Sequence, residues 1–228
     1  MSKTGVPGCG MPGVLLMILA FPGNEKISTG AVVPILALAD LIAVILYHKN
    51  CDWQKIKMLL PPVWIGLIVG TTILYAITNE QFKIIVPYLV LALLAFEEIR
   101  RFFQWTEFPK SKYFAWIFGG LAGTLTQLGN AAAPVMSVYL SAQNMPKRNF
   151  MGTWAMFFFI VNLSKLPLIS GLNMINSQTL LFDLKILPGL MVGVLLGRFL
   201  FKIIREKYFV RIILFLNLLT ALYSIFFY

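Results

Sequence analysis

The chain has 228 residues, of which 59% are apolar and 12% are charged, and its formal net charge is +10. Long apolar runs alternate with short charged ones, a pattern typical of an integral membrane protein without a separate soluble domain. The basic residues lie at the ends of the apolar runs, where orientation in the membrane accounts for them, so the positive charge does not indicate a nucleic-acid partner.

Six apolar runs are near the length that a helix needs to cross about 30 Å of hydrocarbon at 1.5 Å per residue. In chain order they are 30–47, 58–78, 84–96, 150–168, 180–200 and 208–228. A further stretch, 113–142, is too long for one simple crossing and is interrupted by glycine, polar residues and Pro134. The N-terminus lacks the features of a secretory signal, so we expect it to be mature structure. The sequence predicts an all-α integral membrane protein.

The basic residues decide whether 113–142 crosses the membrane or enters and returns. If it returns, fourteen basic residues share one side: Lys49, Lys55, Lys57, Arg100, Arg101, Lys110, Lys112, Lys147, Arg148, Arg198, Lys202, Arg205, Lys207 and Arg211. Lys3, Lys26 and Lys83 fall on the other side. If the stretch crosses, the last seven of the fourteen move across and the bias disappears. We therefore predict a re-entrant hairpin, with the richly basic side cytoplasmic and both termini non-cytoplasmic.

The two halves of the chain are similar at an offset of 122 residues. Pro12 aligns with Pro134, Lys26 with Arg148, Gly30 with Gly152 and Asp40 with Asn162, and Gly66 and Gly70 align with Gly189 and Gly193 after one inserted residue. Each half then holds one hairpin and three crossings, an odd number, which requires inverted repeats. We assign the repeats to 1–105 and 113–228 within one membrane domain. The first hairpin is expected to be incomplete, with only its tip at 4–12 and its returning limb.

The two hairpin tips are candidate substrate sites. Glycines allow the backbone to approach a ligand closely, and Pro12 and Pro134 suit the first turn of a helix, whose free N–H groups and dipole favour an anion. The candidate substrate-binding residues are Thr4, Gly8, Cys9 and Gly10 at the first tip and Gln127, Gly129, Asn130 and Ala132 at the second. The alternative is that the glycines only allow tight packing of a hairpin.

Asp40 lies near the middle of the predicted helix 30–47, and Asn162 is its repeat mate. An ionised aspartate at the membrane centre costs about 2.5–3.5 kcal/mol, so we expect Asp40 to face a cavity or a partner, or to be neutral. One interpretation is that Asp40 carries a coupling proton while Asn162 binds substrate or backbone. The other is that the two form a buried polar pair that joins helices.

Three residues on the helices next to the tips are further candidates. Lys165 lies one turn beyond Asn162 and either supplies positive charge to an anion pathway or extends to the membrane interface. Thr29 and Thr153 open the second helix of each repeat, where their hydroxyls are candidates for substrate contact. Capping of its own helix is the alternative for Thr29.

The tips and the loops after them resemble the TauE/SafE family of membrane permeases, often called sulfite exporters. The second copy reads T-Q-L-G-N-A-A-A-P at 126–134, N-M-P-K-R-N at 144–149 and G-T-W-A at 152–155, and the first reads T-G-V-P-G-C-G at 4–10 and N-E-K-I-S-T-G at 24–30. Asn130, Ala131 and Ala132 stand where glycines are common in the family. The resemblance implies export of a small sulfur-containing anion, such as sulfite or an organosulfonate, linked to the proton gradient across a prokaryotic-type inner membrane.

Together these features predict a secondary active transporter in which inverted repeats alternate access around the tips. A passive anion channel and a non-transporting scaffold are the alternatives. We expect no enzyme, because the chain has one histidine and no metalloprotease pattern. We expect no cofactor, and no disulfide, because the only cysteines, Cys9 and Cys51, lie at different depths in the predicted topology. The expected partners are the anion, the lipid bilayer and a second copy, since the spacing of Gly189, Gly193 and Gly197 allows close helix packing.

Overall fold

The computed structural model describes residues 2–5, 17, 20, 21, 23–82 and 112–205, with single positions between 84 and 95 and between 208 and 215. The helices in these ranges are α1 (Glu25–Ala31), α2 (Val33–Tyr47), a 3-10 helix (His48–Asn50), α3 (Trp53–Ala76), α4 (Lys112–Gly129), α5 (Ala133–Ser141), α6 (Lys147–Gly171) and α7 (Ser177–Ile203). The described residues contain no β-strand. The prediction of an all-α protein is confirmed.

Four described segments are long and apolar enough to cross a membrane: Lys26–Asn50, Trp53–Ala76, Lys147–Gly171 and Ser177–Ile203. They correspond to the predicted crossings 30–47, 58–78, 150–168 and 180–200. The predicted crossings 84–96 and 208–228 and most of the first tip fall largely outside the described residues. The chain is therefore a multi-pass membrane protein.

Polar capping explains why two helices begin before their apolar runs. The Asp52 side chain accepts a hydrogen bond from the Lys55 N–H at 3.2 Å and so caps α3. Asn176 and Thr179 exchange hydrogen bonds at the start of α7, a reciprocal capping box. Each cap satisfies N–H groups that the helix itself leaves free, so the helix extends into polar sequence.

Helices α3 and α4 run parallel in close contact. Gly66 of α3 lies against the Gly120 carbonyl, and one turn further on Gly70 lies against Gln127. A Cβ added at Gly70 would be 2.7 Å from the Cβ of Gln127 and 2.8 Å from the Thr124 carbonyl oxygen. The absence of side chains at these positions allows the two backbones to approach each other.

The chain reverses direction after α4. Asn130 has a φ of 55°, in the left-handed region that asparagine tolerates better than most residues, and α5 begins three residues later. Beyond α5, the Gln143 side chain accepts a hydrogen bond from the Lys55 ammonium at 3.0 Å. Lys55 lies at the start of α3, and α4 starts at the same end because it runs parallel to α3. Helices α4 and α5 thus leave and return to one end of the bundle.

Helices α2 and α6 cross in antiparallel directions through two glycine contacts. The α1 residue Gly30, which leads into α2, packs against Ile169, and Gly152 packs against the Tyr47 carbonyl. Adding 122 to Gly30 gives Gly152, and subtracting 122 from Ile169 gives Tyr47. The two contacts therefore exchange under the offset that relates the two halves of the sequence. Aromatic residues of α6 fill the adjacent core.

Candidate functional site

Residues 130–132 separate α4 from α5, and we refer to them as the break. A chain of polar side chains extends from the crossing of α2 and α6 to this break. It comprises Lys3, Asp40, Asn162, Lys165, Thr126 and Asn130, and we refer to it as the polar column. Asp40 and Lys165 are 0% exposed, and Asn162 is 1% exposed. Ionisable groups buried within membrane-crossing helices are costly, and they commonly mark functional sites.

Asp40 forms the centre of the column. Its carboxylate lies 2.9 Å from the Lys3 ammonium and accepts a hydrogen bond of 2.6 Å from the Asn162 amide. The Lys3 ammonium also lies 4.1 Å from the centre of the Phe158 ring. Asp40 thus has a charged partner, one of the expected outcomes. The charge count had assigned Lys3 to the non-cytoplasmic side, but its ammonium lies against a mid-helix carboxylate.

Lys165 connects α6 to the break after α4. Its ammonium donates to the Thr126 carbonyl at 2.5 Å and to the Asn130 side-chain oxygen at 2.6 Å. Thr126 lies in the last turn of α4, where the negative end of the helix dipole attracts a cation, and its carbonyl also accepts a hydrogen bond from the Asn130 N–H. The alternative prediction, that Lys165 extends to the membrane interface, is wrong because its ammonium is held inside the bundle.

The charges of the described column do not balance. It contains two lysines and one aspartate, and Asp40 interacts electrostatically with both Lys3 and Lys165. Of the two lysines, Lys3 lies in direct contact with the carboxylate, whereas Lys165 is held by neutral oxygens. Since a buried charge without a counter-charge is costly, an anion near Lys165 would stabilise the ionised column.

Several buried polar atoms near the column have no hydrogen-bond partner within the described part of the chain. They include both amide atoms of Gln127, Oδ1 of Asn162 and Nε1 of Trp154. Gln127 follows Thr126 in α4 and is 0% exposed. An unpaired buried polar group costs about 1–3 kcal/mol, so such groups usually meet water or a ligand.

Thr29 and Asn130 join the break to α1. The Thr29 hydroxyl donates to the Leu128 carbonyl at 2.9 Å, and the Asn130 amide donates to the Thr29 carbonyl at 3.1 Å. A small cavity, with a volume of about 10 Å³, is lined here by Met17, Ser28, Thr29, Val32, Phe82, Gly129 and Asn130. Thr29 lies inside α1, so the alternative prediction that it caps its helix is wrong. Ala132 follows the break as the N-cap residue of α5, where no side chain caps the helix.

The other predicted substrate residues have different surroundings. The Thr4 hydroxyl donates to the Val194 carbonyl at 3.0 Å, while the Thr4 carbonyl accepts from the Tyr47 hydroxyl at 2.7 Å. The Thr153 hydroxyl accepts a hydrogen bond of 2.9 Å from the Asp52 N–H, and this bond holds the connection between α2 and α3 against α6. Gly8, Cys9 and Gly10 lie outside the described residues.

Asp183 is a second buried carboxylate, and it was not among the residues predicted to be functional. It lies in α7, is 8% exposed, and faces the backbone of Ile35 in α2. Neither of its oxygens makes a standard hydrogen bond with a described residue. The available signal was an acidic residue inside the apolar run 180–200. The described residues contain no group of three metal-ligating side chains.

Comparison with known families identifies the chain. The family model described as Sulfite exporter TauE/SafE matches residues 2–224, which include both tips and the polar column. No curated protein and no solved structure matched the chain. The match extends over nearly the whole sequence and agrees with the motifs at the tips. The chain belongs to the TauE/SafE family of sulfite-exporter-type membrane permeases.

Proposed function

We propose that the protein is a secondary active transporter that exports a small sulfur-containing anion, of the sulfite or organosulfonate class. The observation that carries this proposal is the burial of Lys165. Its ammonium lies inside the bundle, beside the break between α4 and α5, and among the described residues its hydrogen-bond partners are neutral oxygens. Family membership independently supports a sulfur-containing anion as the substrate.

The substrate site that we propose lies where the polar column meets the break. Lys165 supplies the charge, while the unpaired amide of Gln127 and the N-terminus of α5 supply hydrogen-bond donors. Asn130 orients this region, because its amide accepts from Lys165 and donates to Thr29. The cavity at Gly129 and Asn130 has a volume of only about 10 Å³, room for about one water molecule, so the site has to widen before the anion can bind.

Asp40 is the group that we propose for proton coupling. Ionised Asp40 neutralises Lys3, and protonation of the carboxylate would cancel that attraction and leave more positive charge near Lys165. The proton and the anion therefore favour each other's binding and move together. Export of a dianion with one proton moves net negative charge outward, and each charge contributes about 2.3 kcal/mol per 100 mV of inside-negative potential.

Alternating access follows from the two-fold relation between the halves. Residues 1–105 and 113–228 act as inverted repeats that move about the crossing of α2 and α6. The antiparallel crossing and its exchangeable glycine contacts support this arrangement. The contact of Gln143 with Lys55 supports re-entry of 113–142 from the cytoplasmic side. Both termini would then be non-cytoplasmic, in an inner membrane of prokaryotic type.

A homodimer through α7 is part of the proposal. Gly197 contacts Gly5 of the same chain, but a Cβ added at Gly189 would meet no atom within 4 Å. The neighbouring Leu195 and Phe199 are exposed. Cysteine cross-linking at position 189 in membranes would yield a dimer, whereas exclusively monomeric protein would remove this part of the proposal.

Flux into and out of liposomes tests the function. We expect flux of sulfite or an organosulfonate that depends on the pH gradient, and its loss in Lys165→Met. Lys185→Met in α7 is the matched control, since it removes an exposed lysine from another crossing helix. Absence of flux for sulfite, thiosulfate, sulfate and organosulfonates would favour the scaffold. Flux that is independent of both pH and Asp40 would favour the passive channel.

A further inference from the structure

Two adjoining cavities lie where α6 begins and α7 ends, away from the polar column. The first has a volume of about 460 Å³ and is lined by Lys147, Arg148 and Lys202 together with Asn50 and Asn149. The second is open to the surroundings, has a volume of about 550 Å³ and is lined mainly by apolar side chains, among them Ile203, Ile212 and Phe215, with Arg205 and Arg211. Ile204 lines both cavities, so one ligand could occupy the two.

The first cavity has the chemistry of a phosphate site. Arg148 and Lys202 are exposed cations, and no acidic residue lines the cavity. The N-terminus of α6 opens beside it without a side-chain cap, which leaves its N–H groups and the positive end of its dipole available to an anion. Arginine and lysine near the cytoplasmic surface each attract an anionic headgroup by about 1 kcal/mol.

Lys147 has a different part in this site. Its ammonium donates to the carbonyl of Phe201 and, at 2.6 Å, to that of Ile204, and it lies 4.0 Å from the centre of the Phe201 ring. Lysine here satisfies free carbonyls at the C-terminal end of α7. This contact fixes the start of α6 against the end of α7 and so shapes the wall between the two cavities.

We propose that the two cavities form a binding site for one anionic glycerophospholipid of the cytoplasmic leaflet, such as phosphatidylglycerol. The phosphate contacts Arg148 and Lys202, and the acyl chains extend past Ile204 along the apolar cavity. A free anion would satisfy only the first cavity, and a neutral lipid only the second. The orientation of this end toward the cytoplasm rests on the topology given under the proposed function, but lipid selectivity does not depend on transport.

Lipid retention by purified protein tests the proposal. We would exchange the protein into nanodiscs of equal phosphatidylglycerol and phosphatidylcholine, release it into the gas phase and count bound lipids by native mass spectrometry. We expect selective retention of phosphatidylglycerol, with the selectivity reduced about tenfold or more in Arg148→Gln/Lys202→Gln. The control Lys57→Gln/Lys112→Gln removes the same charge from exposed positions elsewhere on the same face and should keep the selectivity.

Further measurements distinguish a bound lipid from other ligands, and distinguish lipid binding from the transport function. Excess inorganic phosphate should not displace the lipid, and a short-chain phosphatidylglycerol should bind more weakly than a long-chain one. Displacement by phosphate, equal retention of the two headgroups, or equal losses in the two double variants would overturn the proposal. If the site variant does not fold, Arg148→Gln and Lys202→Gln are measured singly against the same criteria. Selective lipid retention by a protein without anion flux would uphold this site and reject the transport function.

Discussion

Asn162 donates a 2.6 Å hydrogen bond to Asp40, the residue 122 positions before it and its own counterpart in the repeat. In a two-fold arrangement, a residue touches its own counterpart only near the axis. If the halves form the inverted repeat that we propose, the crossing of α2 and α6 lies near its axis. Because one member of the pair is ionisable and the other is an amide, the two halves of the chain differ chemically at this contact. A proton can bind on only one side of this contact.

The Asp40–Lys3 contact predicts a specific pattern of stability. Asp40→Asn should lower the free energy of unfolding by about 3–5 kcal/mol, because it removes the counter-charge of a mostly buried ammonium. Lys3→Met combined with Asp40→Asn should recover most of this loss. The measurement is a double-mutant cycle from denaturation in detergent micelles. Additive losses would show that the two side chains do not stabilise each other.

Coupling can be measured separately from stability. If Asp40 carries the proton, the double variant Lys3→Met/Asp40→Asn should remain folded and should move anions at a rate that does not change with the pH gradient. Asn162→Asp should instead place two carboxyl groups together, so that the pair binds a shared proton more tightly. We expect its flux to be maximal at higher pH than that of the wild type. Unchanged pH dependence in both variants would assign coupling to another group, with Asp183 the next to test.

The sequence could predict the long helices and the break, but not the partners within the polar column. Apolar length and the interruption near Asn130 are local properties of the chain, and they locate segments such as Lys147–Gly171 to within a few residues. The Lys3–Asp40 contact joins residues 37 apart through a segment whose path no local pattern specifies. Lys165 shows the same limit, because its burial depends on carbonyls that α4 presents at its C-terminal end.

Asn130 allows its backbone and side-chain roles to be separated. Asn130→Gly should keep the left-handed φ of 55° but lose the hydrogen bonds to Lys165 and Thr29. We expect this variant to fold with a markedly lower anion flux. Asn130→Leu should lose flux as well, with an added stability loss of about 1–2 kcal/mol, because a bulky side chain strains this conformation. Liposome flux and thermal unfolding give the two quantities. Wild-type flux in Asn130→Gly would move the substrate site elsewhere.

The reactivity of the Cys51 thiol tests the packing of the connection between α2 and α3, at the end of α2 away from Asn130. Burial, together with the neighbouring Asp52 carboxylate, raises its pKa to about 11. Thiolate is the reactive form, so at pH 8 alkylation should be slower than for an unperturbed thiol by about 100-fold, and the rate should rise through pH 10. Mass spectrometry of the Cys51 peptide after timed iodoacetamide treatment gives the rate. Asp52→Asn should accelerate alkylation, whereas rapid wild-type alkylation at pH 7 would contradict the partly buried placement of the thiol.

Two glycines that align at the offset between the proposed repeats are expected to respond differently to the same substitution. Gly66→Ala places a methyl group against the Gly120 carbonyl of α4 and should destabilise the protein by about 1–3 kcal/mol through overpacking. Gly189, its counterpart in the second repeat, has nothing within 4 Å of an added Cβ, so Gly189→Ala should be neutral or slightly stabilising in a monomer. Thermal unfolding of both variants, measured at low protein concentration in detergent micelles, gives the comparison. Equal losses of stability in the two variants would mean that α7 packs against other helices as closely as α3 does. A loss of stability for Gly189→Ala that grows with protein concentration would instead locate the dimer interface on α7.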